Sequence, residues 1–404
     1  MSAGRVRRWR IEPLDTLFFG DGRPFNQEDE GLAEAESLFP PWPSTTAGAF
    51  RAALARALGW DGRSDWSTRP EIAAVVGGSP DEPAPLRFGP PVVLWRTAQG
   101  GWERLYPRPA HVMVKMVKEV GQREEPRLLD LPRGPRFRTD LGEIVLPDAE
   151  PGVKEPKAGW VTARGLTSIL EGKAPKTDEL ITDKRLFAPE FRIGLQRDHT
   201  TRTAAHGMLY AVRHLRLFDG VGRWYGKAAD RDGWRRVALG LEVAGPADHP
   251  PPAQPTPLGG LQRLVGFHEL ADGWREATEP AEPPADGRYL VHILSPTRFR
   301  DGSWPRPDAS LDGKFPGRLV FACCGRPQYV GGWDGRSGVS SFGPQPNRPH
   351  LPAGSVLFFE VTDEAERRRL AELWRSDVRA VGERTALGFG HFRFGYWPRR
   401  ESGR

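Results

Sequence analysis

The run Ser355-Val356-Leu357-Phe358-Phe359-Glu360-Val361-Thr362-Asp363-Glu364-Ala365-Glu366-Arg367-Arg368-Arg369-Leu370-Ala371-Glu372-Leu373-Trp374 changes period in mid-course, and that change decides the fold class. Ser355 to Val361 is a short apolar run of strand length, rich in β-branched and aromatic residues. Asp363 stands where a helix N-cap belongs, and Glu366, three residues on, completes a capping box. Leu370, Leu373, Trp374 and Val378 then recur at helical spacing as one apolar face, and Gly382 reads as the stop. A strand that feeds a one-faced helix implies a sheet for that face to cover, hence an α+β fold.

Reading outward from this run, Ala386 to Tyr396 is a strand-like stretch interrupted by glycines. Tyr289 to Leu294 and Leu319 to Cys324 are strands upstream of it. Ala271 to Gly287, rich in Pro, Glu and Ala, reads as a linker. The same pattern precedes that linker. Arg5 to Phe19 opens with a strand. Ser44 is the N-cap of a helix whose apolar face is Phe50, Ala53, Leu54, Ala57 and Leu58, and Gly59 closes it. Phe191 to Leu195, Met208 to Leu215 and Val237 to Val243 supply further strand candidates, and Leu258-Gly259-Gly260 leads into Leu261 to Leu270. Trp60 to Leu186 is irregular and reads as an insertion with elements of its own. The expectation is two ferredoxin-like (RRM-related) domains, residues 1–275 with an insertion at about 60–186, and residues 276–404.

Composition agrees with this. The chain has 404 residues, enough for two or three domains, and 38% of them are hydrophobic. The 47 glycines and 40 prolines are too many for a helical bundle and suit short strands and loops. No apolar run has the length needed to cross a bilayer, so no membrane partner is expected. The N-terminus carries charge with no apolar segment behind it, so no secretion signal is expected. The only two cysteines, Cys323 and Cys324, are adjacent and cannot form an ordinary disulfide staple, which points to a reducing cytoplasm. Net charge is +6, and the basic residues are mostly arginine, whose planar fork suits phosphates and base faces.

Three constellations carry possible chemistry. At the helix start, Ser44, Thr45 and Thr46 combine hydroxyls with free amides, and Arg51 follows on the same helix. Near the C-terminus, Gly388, Gly390 and His391 form a glycine-rich loop flanked by Arg384 and Arg393; glycines let backbone amides approach a phosphate. It lacks the Lys-Ser/Thr of a nucleotide-hydrolysing loop. Between two strand candidates lie Arg197, Asp198, His199, Thr200, Thr201, Arg202 and Thr203, suited to gripping an extended backbone. No His, Cys or acid spacing indicates a metal site, and no cofactor is indicated. Arg23 sits in an early Asp-Gly/Arg-Pro turn.

In order along the chain, Leu14 to Phe19 with Asp21 to Phe25, Phe39 to Arg51, Gly194 to Asp198 with Gly207 to Tyr210, Leu258-Gly259-Gly260, Gly331-Gly332-Trp333-Asp334, Pro352 to Val356 and Ala386 to Gly390 form collinear blocks. Together they resemble the Cmr-type RAMP subunit of type III-B CRISPR effector complexes, the subunit that caps the 5′ end of the guide RNA. The resemblance implies two ferredoxin-like domains and no catalytic role. It also implies a subunit that holds the 5′ handle of the crRNA, beside the large polymerase/cyclase-type subunit and the first backbone RAMP subunit, with target RNA met only indirectly. By analogy with related subunits, part of the 60–186 segment would form a thumb that wedges into the guide–target duplex. On this reading Arg23, Arg51, Arg197, Arg202, Arg384 and Arg393 are the candidates for phosphate contact. Related RAMP folds also include metal-independent crRNA-processing endoribonucleases with a His general base, and here His199 and His206 are the residues available for that alternative.

Overall fold

In the computed structural model, which describes residues 5–20, 33–81, 83–97, 99–117, 123–129, 137–139, 142–144, 151–197, 200–217, 237–246, 249–307, 309–336 and 343–398, strands predominate. The four α-helices among the described residues are α1 (Pro43–Ala57), α2 (Pro70–Val76), α3 (Ala163–Leu170) and α4 (Glu364–Arg375). The chain divides into two compact units. The first comprises Met1–Gly100, Lys184–Gly273 and Tyr329–Arg348; the second comprises Gly101–Asp183, Trp274–Gln328 and Pro349–Arg404. The expected boundary at 275 falls beside the Gly273/Trp274 junction, where the chain passes from one unit to the other.

In the first unit the strand Arg5–Pro13 pairs antiparallel with Val237–Gly245 on one side and Leu264–Glu269 on the other. Val92–Arg96 lies beyond Val237–Gly245, also antiparallel. The pleat sends alternate residues to opposite faces, so Trp9 and Ile11 are buried while Arg8 is half exposed and pairs with Glu242. α1 covers the buried face. Phe50 is its anchor, edge-on to both Trp9 and Phe267 with ring centroids 5.3 Å apart. The helix begins at Pro43, with Trp42 as N-cap in extended conformation and no side-chain cap; Ser44 therefore lies in the first turn and is not the cap. Proline's fixed φ and missing amide donor suit that first position. Gly59, at φ 90°, ends the helix as expected.

The second unit is built on the antiparallel strands Arg318–Cys323, Val356–Glu360, Arg288–Ile293 and Phe392–Tyr396, in that spatial order. Both faces of this sheet are buried. Tyr289, Val291, Ile293, Leu357, Phe359, Phe392 and Phe394 face one core, which α4 closes with Leu370 and Trp374. Leu290, Leu294, Val320, Val356 and Phe358 face a second core with Tyr106, Val161, Leu166, Ile169 and Leu170, the last three on α3. Trp374 stacks on Phe394 at 4.7 Å, nearly parallel. Asp363 caps α4 as expected, accepting from the amides of Ala365 and Glu366. Glu366 does not close a capping box; it accepts from the amide of Gly317 at 3.0 Å. α4 ends at Arg375 with Ser376 as its C-cap, so Val378, 41% exposed, lies beyond its apolar face.

Two stretches behave differently from their composition. The linker-like segment Ala271–Gly287 contains the buried side chains Trp274 and Ala277, and Glu276 and Glu279 hold arginines of the same unit. Its Pro and Glu content hides these anchors. The insertion-like segment 60–186 supplies Val92–Arg96 to the first unit's sheet and α3 with Trp160–Thr162 to the second unit's core. Its elements are short and separated by proline-rich stretches, and the local signature of α3, Thr162 as N-cap with Ala163, Leu166, Ile169 and Leu170 on one face, spans only eight residues.

In both units the four principal strands, taken in chain order, lie side by side as second, third, first, fourth.

Candidate nucleic-acid interface

Phe187–Arg197 and Ala204–Leu217 form a long antiparallel hairpin in the first unit, registered from Phe187 opposite Leu217 to Leu195 opposite Leu209. The register then shifts, and Arg197 stands opposite Ala204. At its base the hairpin is tied down by charge. Arg192 donates to Asp15 and Glu190, Arg216 to Glu190, and Arg213 pairs with Glu36 at 3.0 Å. The hydrogen bond from Arg192 holds the Asp15 carboxyl below its usual range. Under this network Thr16 and His214 are buried, hydroxyl to ring nitrogen 2.9 Å.

Further along, Phe191 and Ile193 are 58% and 69% exposed. They occupy alternate positions of one strand and so share a face. The Arg213 guanidinium lies 4.9 Å over the Phe191 ring. At the free end Arg197 and Arg202 are both exposed, and Arg197 Nε donates to the Arg202 carbonyl at 3.2 Å. Arg202 is held at φ 59°, and the Thr201 and Thr203 hydroxyls lie 2.8 Å apart. The free end of the hairpin therefore carries two exposed guanidiniums and a row of hydroxyls, and the strand leading to it carries two open apolar side chains. Asp198 and His199 lie outside the described residues, as does the side chain of His206.

The other expected site residues are placed differently. Ser44 and Thr45 are half-buried in the first turn of α1; Thr46 is fully buried, and its hydroxyl donates to the Pro43 carbonyl at 3.0 Å. Arg51 is 3% exposed. Its guanidinium donates to the carbonyls of Val76, Gly77, Ser79 and Pro80, tying up the end of α2, and burial lowers its pKa to about 10. Those donors are engaged inside the fold, where they hold the end of α2 and the residues after it. Arg23 lies outside the described residues.

The glycine-rich loop belongs to the second unit and is packed. Gly388 and Gly390 are buried at φ 97° and 73°, and a Cβ on Gly390 would fall on the Val381 carbonyl oxygen. Here glycine permits close approach of the chain to itself. The His391 amide donates to Ser295 Oγ at 2.9 Å, and Arg384 lies 4.9 Å over the Phe389 ring. Arg393 bonds Glu279 at 2.7 Å and Glu276 at 2.8 Å. Burial opposes its charge, but the two carboxylates outweigh burial and hold its pKa above the ordinary value. Arg393 is thus held inside the second unit by two carboxylates.

Of the candidates, then, the structure brings Arg197 and Arg202 together at an exposed edge. Sequence reasoning missed Phe191, Ile193 and Arg213. Their alternation was visible, but an alternating strand reads the same whether its apolar face is covered or open. Among the described residues no cluster of three or more His, Cys, Asp or Glu side chains could hold a metal ion, and no helix is long and apolar enough to cross a membrane.

Comparison with known proteins gives three results. The family described as CRISPR-associated protein (Cas_Cmr3) matches residues 9–397. No curated protein matches the chain. Among solved structures, a chain of a type III-B Cmr-beta complex bound to cognate target RNA and AMPPnP aligns at 16% identity and TM-score 0.43, covering 87% of this chain and 86% of that one. A chain of the same type of complex bound to cognate target RNA aligns at 16% identity and TM-score 0.43, covering 91% and 94%.

Proposed function

Since the chain belongs to the Cas_Cmr3 family of CRISPR-associated proteins, and so is a Cmr-type subunit of a type III-B effector complex, we propose that it binds and caps the 5′ handle of the crRNA without cutting it. On this reading it bridges the large polymerase/cyclase-type subunit to the first backbone RAMP subunit in antiviral defence, in the cytoplasm. We read the four principal strands of each unit, which in the first unit are part of a nine-stranded sheet, as ferredoxin-like (RRM-related), because second-third-first-fourth is the strand order that a split βαβ arrangement produces. Each retains one of the two crossover helices: α1 in the first unit and α4 in the second.

The observation that carries the binding role is the free end of the hairpin, where Arg197 and Arg202 stand exposed beside threonine hydroxyls. Single-stranded RNA is gripped through its phosphates by such groups, and each neutralised phosphate contributes about −0.7 to the slope of log affinity against log salt. Replacing both residues, Arg197→Ala with Arg202→Ala, should flatten that slope by about 1.4 and weaken handle binding at low salt. Titration of the assembled complex with labelled crRNA over a salt series measures it. Crosslinking from the crRNA 5′ end should reach this chain; a 5′ end crosslinked only to other subunits overturns the reading. Cleavage of precursor RNA by the purified chain without metal, lost in His199→Ala, would replace it with the processing nuclease.

A further inference from the structure

The hairpin has an outer edge that its free end does not use. In the sheet formed by its two strands and Ala33–Ala35, the strand Ala204–Leu217 lies in the middle and Phe187–Arg197 on the outside. The partners fix which way the backbone groups of that outer strand point. Leu215 exchanges both of its backbone hydrogen bonds with Leu17, at 2.8 Å each, and so turns away from Pro189, which stands opposite it. Backbone groups alternate sides along a strand. Arg213, opposite Phe191, and Ala211, opposite Ile193, therefore turn away as well, and Ala211 pairs with Glu34 on that far side. The amides and carbonyls of Phe191, Ile193 and Leu195 then point out of the sheet. Pro189 belongs to the same outward set, where a missing amide costs the hairpin no hydrogen bond. Among the described residues no other strand pairs with this edge.

From this edge we infer a docking site for an extended strand of another protein chain, one that alternates apolar residues with carboxylates and adds itself to the sheet beside Phe191 to Leu195. A peptide backbone returns an acceptor and a donor at the same two-residue period, about 6.8 Å. An RNA backbone is the poorer match, because its phosphates would meet a carbonyl oxygen beside every amide. From Glu190 to Leu195 there is no proline, lysine or register shift, the devices that blunt an open edge. The side chains set the partner's composition. Phe191 and Ile193 are open on one face and would pack against apolar residues directly across the new pair. On the other face Arg192, Arg216 and Arg263 share the carboxylates of Asp15 and Glu190, three cations to two anions, so a carboxylate from the partner would balance the set. A second copy of this chain fits less well. Two such edges paired antiparallel would set the exposed Arg197 of each against the arginine-rich base of the other. The inference concerns the edge and not the free end, and it does not depend on capping of the 5′ handle.

The test compares amide hydrogen exchange, read residue by residue, in the full purified chain and in the assembled complex. The amides of Phe191, Ile193 and Leu195 should exchange freely in the chain alone and lose that free exchange on assembly. Those of Arg192 and Gly194, which face the neighbouring strand, should be slow in both. Ile193→Pro removes one outward amide and leaves the inward pairing in place, so incorporation into the complex should fall by roughly 10-fold, about the worth of one hydrogen bond. Ile193→Val keeps the amide and should assemble like the wild type. If the proline disturbs the hairpin itself, faster exchange at Arg192 and Gly194 reports it, and the wild-type comparison then decides alone. Free exchange at Phe191 and Ile193 in the complex would overturn the inference, as would undiminished incorporation of a folded Ile193→Pro variant. Slowing produced by crRNA added to the free chain would overturn it in favour of nucleic acid, and slowing that grows with the concentration of the free chain would overturn it in favour of a second copy. None of these results touches the crosslink from the crRNA 5′ end, so the two readings fail separately.

Discussion

At the scale of single residues, the arginines divide by what surrounds them. Arg51 and Arg393 look like ligands for phosphate in the sequence, yet Arg51 donates to backbone carbonyls and the terminal nitrogens of Arg393 donate to two carboxylates within the fold. Arg393→Ala should cost about 2 kcal/mol, because it removes the cation that Glu276 and Glu279 share and leaves each with one arginine, Arg104 and Arg379. RNA affinity per folded molecule should not change; denaturant titration and anisotropy together check this. Gly390→Ala should be at least as damaging, since its φ of 73° and the nearby Val381 carbonyl leave no room for a methyl group. The loop's glycine content was legible, but not its purpose. Glycine is required wherever backbone comes close to something, and the sequence does not say whether that something is a phosphate or another strand.

At the scale of elements, helices were easier to read than the stretches between them. α4 announces itself by Asp363 and by Leu370, Leu373 and Trp374, because a cap and a one-sided stripe are local chemistry. Asp363→Ala should lower stability by about 1 kcal/mol, with loss of helical circular dichroism confined to a fraying first turn. Trp374→Ala should cost roughly 3 to 5 kcal/mol by removing its stack on Phe394 and its edge-on contact with Tyr289. The segment Ala271–Gly287 was misread because its anchors are few: Trp274 and Ala277 are buried, while the surrounding prolines and glutamates look like spacer. The hairpin was legible as two strands with a basic turn. Its exposed Phe191 and Ile193 were not, since exposure depends on what other elements leave uncovered.

At the scale of the whole molecule, the second unit is assembled from three separated lengths of chain. A division at residue 275 captures the two strand sets but not this dependence. The fragment 276–404 would lack α3 and Trp160–Thr162, which cover Leu290, Val356 and Phe358. Expressed alone it should show no cooperative melting transition, whereas co-expression with residues 101–183 should restore one. Acid should also act on this unit. His111 and His292 are both fully buried, and burial is the main cause that lowers each pKa to about 3 from an unfolded value near 6.5. Folded histidines that refuse protons contribute full stability above pH 6.5, and that contribution falls as the unfolded chain protonates below it. Two such groups give a loss of up to about 3 kcal/mol per pH unit between roughly pH 6 and pH 3. Melting curves from pH 7 to pH 5 should fall steeply, and His111→Phe should flatten the fall.

The interleaving of segments has a consequence during synthesis. When α3 leaves the ribosome only Tyr106, Val112 and Val161 of its core have preceded it, and the strands that complete the cover of Leu166, Ile169 and Leu170 are not translated until more than a hundred residues later. At about 5 to 20 residues per second that wait is on the order of ten seconds or longer. A nascent chain with an oily helix exposed for so long is a natural client for a ribosome-bound chaperone, and slowing translation between codons 171 and 287 would lengthen its period of risk.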